Sequence, residues 1–305
     1  MSAQPAGGWA QTWPAPAKLN LFLHVVGRRA DGYHLLQSAL RLIDLADSLR
    51  FSARADGRIA LAALLEGVSE ERDLCVRAAT LLRDSAAARG VQTCGVTISL
   101  EKRIPMGGGL GGGSSDAATV LLALNRLWQL GMSRSELQGL GLSLGADVPF
   151  FLCGGNAFAE GVGEVLTPLE LPPAWYLVLV PPVAVPTVAV FAAPELTRNT
   201  KSVKISSFSG TASDFLSGSA GGGLGVDFGH NDLQPVVCAR YAQVARALGW
   251  LGAYARARMS GSGACVFAQF DDHGDAAAVL ARLPADMDMR GLVVRGLARH
   301  PVDAG

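Results

Sequence analysis

The sequence is poor in charge and in aromatic rings: 17% of its 305 residues are Asp, Glu, Lys or Arg, and 7% are Phe, Trp or Tyr. The 26 basic and 26 acidic residues cancel to a formal net charge of zero. That balance removes the global attraction to nucleic acid or to an anionic membrane that a basic chain has, so neither partner is expected and any phosphate affinity must be local. Cysteine is sparse too. Cys75, Cys94, Cys153, Cys238 and Cys265 are odd in number, far apart and without a C-x-x-C pair, and the five histidines make no close ligand pair. A disulfide framework and a structural zinc site are thereby excluded, and reduced thiols in a cytoplasmic protein are expected. An unbroken apolar span is also missing. The longest apolar run, Ala174 to Ala193, is interrupted by Pro181, Pro182 and Pro186 and is rich in valine, which fits buried strands with a turn. Met1 to Pro14 has neither a basic start nor an apolar centre, so it reads as a flexible arm and not as a targeting segment.

What the chain has in abundance is apolar residues, 50% of the total, and 37 glycines. A chain of this size buries most of its surface and often divides into two domains. Six of the glycines fall between Gly107 and Gly113, interrupted only by Leu110. Glycine adopts positive φ without strain, so successive N–H groups there can turn onto one anion. Ser114, Ser115 and Asp116 follow as N-cap candidates, and Ala117 to Leu130 reads as a helix stopped by Gly131. A glycine loop opening onto a helix N-terminus predicts a bound phosphate. The string satisfies G-x-G-x-x-G, but a dinucleotide fold wants the glycines at a strand end, and Glu101 to Pro105 separate them from the predicted strand Gly95 to Leu100. No Gly-Lys-Ser/Thr closes a Walker A loop, and a protein-kinase loop joins two strands.

In chain order, Lys18 to Val26 alternates, with Leu19, Leu21, Leu23 and Val25 on one face and Lys18, Asn20, Phe22 and His24 on the other, which predicts a strand. Arg28 to Gly32 supplies a turn before Tyr33 and His34. Leu49 to Leu61 reads as strand and Asp73 to Gly90 as a helix. Ser133 and Glu136 form a capping box for a helix that ends near Gly145. Asp147 then precedes an apolar stretch, Val148 to Phe151, read as a strand entering the core. As an acid at an element junction it is either a turn acceptor or a proton acceptor, and phosphoryl transfer to a hydroxyl needs the latter beside a phosphate cradle and a cation. Gly154 to Thr167 reads as two short strands, Ser206 to Gly225 as a flexible Ser/Gly tract, and Asn231 to Leu248 as a helix. Met259 to Ala268, with Gly261, Ser262 and Gly263 after Ser260, reads as a second small-residue loop running into a buried strand.

Three stretches taken together resemble the motifs of the GHMP small-molecule kinases: Pro16-Ala17-Lys18-Leu19-Asn20, Gly107 to Ser115 with Asp116-Ala117-Ala118, and Gly261-Ser262-Gly263-Ala264. A narrower likeness lies in Arg28 to His34, Gly145 to Phe151 and Pro194-Glu195-Leu196-Thr197-Arg198-Asn199-Thr200. Those segments resemble the members that act on 4-diphosphocytidyl-2-C-methyl-D-erythritol. The resemblance implies a two-domain α/β fold, divided at about residues 15–167 and 168–305, with ATP and substrate in the cleft between. It implies phosphorylation of the substrate's 2-hydroxyl, with ATP arriving as its Mg²⁺ complex and no metal ligand assigned. It also implies Asp147 as general base with Lys18 beside it. Pro105, Met106, Gly107, Gly108, Gly109, Leu110, Gly111, Gly112, Gly113, Ser114 and Ser115 would bind ATP. Tyr33 and Phe191 would enclose the cytosine and His34 would hydrogen-bond it, with Asn20, Gly261, Ser262 and Gly263 also on the substrate side. The rival readings are a kinase of the same fold acting on homoserine or mevalonate, a dinucleotide-dependent oxidoreductase, and a non-catalytic nucleotide-binding module.

Overall fold

The computed structural model describes residues 8–64, 67–203 and 229–303. The Ser/Gly tract 206–225 lies outside them. The chain opens with a long antiparallel hairpin, β1 (Trp13–Arg28) and β2 (His34–Arg54), joined by the predicted turn. β3 (Ile59–Leu61) runs parallel to β4 (Gly95–Glu101), and α1 (Leu74–Ala88) lies between them in sequence. Then come α2 (Gly112–Leu127), α3 (Arg134–Leu142), α4 (Val148–Cys153) and the hairpin β5 (Ala157–Glu160) and β6 (Val165–Pro168). The first sheet has the order β3-β4-β2-β5-β6, with β1 paired along β2.

The second half contributes β7 (Trp175–Val180), α5 (Thr187–Phe191), α6 (Gln234–Arg240) and α7 (Ala242–Gly252). It closes with β8 (Arg258–Met259), β9 (Val266–Phe270), α8 (His273–Leu280) and β10 (Arg290–Arg295), and its strands form an antiparallel sheet in the order β10-β7-β9-β8. Three apolar clusters hold the halves. One packs α1, α2 and α4 on the first sheet, and a second packs α6 and α7 on the second sheet. The third joins Leu19, Leu21 and Phe22 of β1 to Tyr176, Val178 and Phe267, which fastens the two sheets to each other. The chain's end then returns to the first sheet, where Leu297 donates to Leu42 O and His300 to Gly154 O.

Several expectations need correction. Trp13 and Pro14 belong to β1 and not to a free arm, since they pair with Leu49 and Ser48 and Trp13 is fully buried. The stretch after Asp147 is a helix, because Pro149 sits in its first turn, where the absent N–H costs nothing, and Gly154 ends it in the left-handed conformation. The run Ala174–Ala193 holds one strand and then α5, because the prolines at 181, 182 and 186 stop a second strand from pairing. The predicted strand Leu49 to Leu61 is the end of β2 and the separate β3.

β1 also departs from simple alternation. Asn20 pairs with Leu40 and Phe22 with Ala39, so Leu21 is an extra residue in a bulge. A bulge exchanges the faces of the residues beyond it. Lys18, Asn20 and Leu23 therefore share the cleft side, while Phe22 joins Leu19 and Leu21 in the core between the sheets. The strand thus carries its lysine and asparagine to the cleft and still buries its aromatic ring.

Candidate active site

The cleft between the halves measures about 1120 Å³, ample for two ligands. At its centre lies the glycine loop. α2 begins at Gly112, two residues ahead of the predicted caps, and its N-cap is Gly111 with no side chain to satisfy the first turn. The first intrahelical bond of this end is Ser115 N to Gly111 O at 2.9 Å, so the amides of Gly112, Gly113 and Ser114 have no helix partner. These N–H groups and the helix dipole make the anion site. α2 holds it firmly, since Val120, Leu121, Ala123 and Leu124 are fully buried, each leucine contributing about 1.5–3 kcal/mol. Ser115 has no free group to offer. Its amide is in the helix and its hydroxyl donates to Pro16 O at 2.7 Å, so of the predicted loop residues it alone does not line the cleft.

Two glycines show why no other residue suits the loop. Gly109 has φ +74° and a Cβ there would lie 2.1 Å from Ser260 O; Gly111 has the same φ and a Cβ would meet the Phe151 ring at 2.9 Å. The second loop braces the first. Ser260 Oγ donates to Gly109 O at 3.0 Å, and Ala264 and Cys265 donate to Gly107 O and Gly108 O. Asn231 fixes this brace, donating through Nδ2 to Met259 O and Gly261 O at 2.8 and 2.7 Å. Gly261, Ser262 and Gly263 line the cleft as predicted.

Lys18 and Asp147, far apart in sequence, meet beside this loop. Lys18 Nζ lies 3.7 Å from Asp147 Oδ2 and donates to Gly109 O at 3.0 Å and to Asn20 Oδ1. The lysine is buried, whereas 42% of the Asp147 side chain is exposed to the cleft. Asp147 occupies the N-cap position of α4 without accepting from its amides. It makes no turn bond to that helix end, and its side chain lines the cleft. Asn20 is oriented in turn by donating to Ser38 Oγ at 2.8 Å.

The two ends of the cleft differ. At one, Tyr33 is exposed, and His34 stacks on Phe191 with centroids 5.0 Å apart and planes at 34°. Burial, then the nearby Arg198 and Arg28, hold the His34 imidazole below its ordinary pKa. At the other end Val68, Leu74, Cys75 and Leu100 form an apolar wall. Lys102 lines the floor there, bridging Asp47 and Asp116, the latter at 2.7 Å. Burial pushes the Asp116 carboxyl up to about 7, opposed by Lys102 and reinforced by Asp47. Sequence reasoning missed Lys102, Ser260, Asn231 and Arg198 as parts of the site. Ser260 and Arg198 had a signal, lying inside the second small-residue loop and the segment Pro194 to Thr200.

The chain belongs to the GHMP kinase family. The model for the GHMP kinases N terminal domain matches residues 73–155 and that for the GHMP kinases C terminal matches residues 216–288. The chain is 59% identical over 293 residues to a 4-diphosphocytidyl-2-C-methyl-D-erythritol kinase of Thiobacillus denitrificans, covering 96% of this chain and 98% of that one. It is 57% identical to the protein of that name from Nitrosospira multiformis, covering 95% and 92%. Among solved structures, a 4-(cytidine 5'-diphospho)-2C-methyl-D-erythritol kinase superposes with a TM-score of 0.75 at 35% identity, covering 94% of this chain and all of that one. A mevalonate kinase superposes at 0.66 with 14% identity over 95% of this chain and all of that one, a likeness of fold alone. The fold is thus the two-domain, mixed α/β GHMP kinase fold expected from the motifs. Among the described residues, no helix is long and apolar enough to cross a membrane.

Proposed function

We propose that this chain transfers the γ-phosphoryl group of ATP to the 2-hydroxyl of 4-diphosphocytidyl-2-C-methyl-D-erythritol, in the cytoplasm, on the non-mevalonate route to isoprenoid precursors. The observation that carries the reaction type is the Lys18–Asp147 pair, 3.7 Å apart beside the open first turn of α2. The near-full-length relatives of that name supply the substrate.

In this reading, the amides of Gly112, Gly113 and Ser114 hold the phosphates, and the apolar wall at Val68, Leu74 and Leu100 takes the adenine. Asp147 accepts the hydroxyl proton as the oxygen approaches phosphorus. Lys18 steadies the negative charge on that oxygen and on the transferred group, and its bonds to Gly109 O and Asn20 Oδ1 fix it without solvent reorganisation. Tyr33 and Phe191 enclose the cytosine and His34 hydrogen-bonds it, which leaves the erythritol hydroxyl near Asn20 and Asp147. Such positioning and charge stabilisation account for most of the catalysis in phosphoryl transfer.

Mg²⁺ bound with ATP would supply countercharge to the phosphates. Among the described residues no group of three His, Cys, Asp or Glu could hold a metal ion. The test is ADP release with Mg-ATP and the cytidyl substrate, with mevalonate and homoserine in parallel. Turnover with the cytidyl substrate alone is expected; turnover with a control alcohol instead would reject the substrate assignment and keep the reaction type.

A further inference from the structure

The segment Pro194 to Thr200 contributes no side chain to the mechanism above, yet its Arg198 lies directly behind two residues that line the outer end of the cleft, His34 and Phe191. Arg198 Nε donates to His34 Nε2 at 3.1 Å. Nη1 donates to Leu196 O at 3.0 Å, and Nη2 to Ala193 O at 2.6 Å and Phe191 O at 3.1 Å. Among the described residues this guanidinium forms no ion pair with a carboxylate. One side chain therefore joins the start of β2, which carries His34, to the end of α5, which carries Phe191.

A guanidinium has five donors, no acceptor and no accessible deprotonated form. The histidine nitrogen facing it must therefore present a lone pair, which puts the ring proton of neutral His34 on Nδ1. Among the described residues nothing accepts from that Nδ1. We propose that Arg198 is a positioning residue for base recognition: it makes His34 a fixed Nδ1–H donor for the acceptor N3 of cytosine, against the N3–H of uracil. This rests on the reading of the outer end as the cytidine site. A donor facing a donor discriminates strongly, because the wrong base leaves both polar groups without partners. Protonating the ring would set an Nε2–H against the guanidinium, and the charged groups facing it, Arg198 and Arg28, are both cations.

The test uses the full chain, with the cytidyl substrate, its uridyl analogue, and ¹⁵N-histidine NMR. In the wild type at pH 7, His34 is expected protonated at Nδ1 and bare at Nε2, with the cytidyl substrate preferred. Arg198→Gln should raise KM for the cytidyl substrate about tenfold, the scale of one lost charged hydrogen bond, and leave kcat and the KM for ATP near wild type. It should also narrow the cytidyl-over-uridyl preference and move the His34 titration midpoint upward. Arg198→Lys, which keeps a cationic donor, should recover part of the preference. A wild-type His34 protonated at Nε2 overturns the proposal even if the variants do not fold. So does an Arg198→Gln enzyme that loses thermal stability or both KM values together while keeping its base preference. If wild type uses both bases equally and His34→Ala leaves KM unchanged, the cytidine reading itself falls, and the role of Arg198 with it.

Discussion

The floor and the outer rim of the cleft are built on opposite plans. On the floor, Lys18 is buried in a long strand and tied to Gly109, Asn20 and Asp147, and the phosphate loop is the start of a fully buried helix. At the rim, Tyr33 is 65% exposed on a turn, and Phe191 ends a helix of five residues. The floor must hold reacting atoms to a fraction of an ångström, so it is set in the core; the rim has only to select a flat base, and exposed aromatic surface is enough. Substitutions on the floor should therefore act on kcat, and those on the rim on KM. The largest expected effect is at Asp147. Asp147→Asn keeps the shape and removes the basicity, so kcat should fall by roughly 10²–10⁴ with ATP affinity nearly intact. Because its carboxylate caps no amide, Tm should hardly change. Near-normal turnover in steady-state assays would break the comparison at its strongest point.

Gly109→Ala tests whether the floor is as unyielding as its geometry implies. Alanine at φ +74° is strained, and its Cβ would strike Ser260 O, forcing the two loops apart. A shift of about 1 Å at this point should lower kcat/KM for ATP about a hundredfold, and the strain should cost about 2 kcal/mol or more in denaturant unfolding. If only stability falls, the phosphates are held elsewhere.

How far the sequence disclosed this division follows from where each signal lies. The glycine run and the capping box of Ser133 and Glu136 are local patterns; the box forms where expected, and the glycine run opens onto a helix that starts two residues earlier than the predicted caps. The bulge at Leu21 was not readable, because a two-residue period cannot announce an extra residue that pairs with nothing. Nor could the fate of Val148 to Phe151 be read, since a short apolar run serves a buried helix or a strand equally. Lys18 and Asp147 emerged from family likeness and meet only in the fold. The Lys102–Asp47–Asp116 cluster and the brace from Asn231 are long-range contacts with no local mark.

Acid provides a way to weaken the packing behind the floor. His300 is fully buried, and its backbone N–H donates to Gly154 O at the end of α4, the helix that starts at Asp147. Burial, with Arg134 adding to it, lowers its pKa to about 4 from 6.5. Below 6.5 the unfolded chain takes up a proton that the folded chain refuses, so stability is lost as pH falls from about 6.5 toward 4. Between pH 7 and pH 5 the loss should be about 2 kcal/mol from this group. Urea titrations of wild type and His300→Gln check the sign: the variant's stability should depend less on pH across that window. An equal pH dependence in both would assign the acid sensitivity to other groups.

The smallest effect belongs to the rim. Tyr33 makes no side-chain hydrogen bond among the described residues, so Tyr33→Ala should leave stability within about 0.5 kcal/mol of wild type. Loss of one stacking surface is worth about 1–3 kcal/mol for a base, which predicts a KM for the cytidyl substrate raised about tenfold. Neither kcat at saturation nor the KM for ATP should move, because the base does not touch the transferred group. If instead kcat fell with KM, binding energy at the base would be drawing the hydroxyl onto Asp147, and the rim would share in catalysis with the floor.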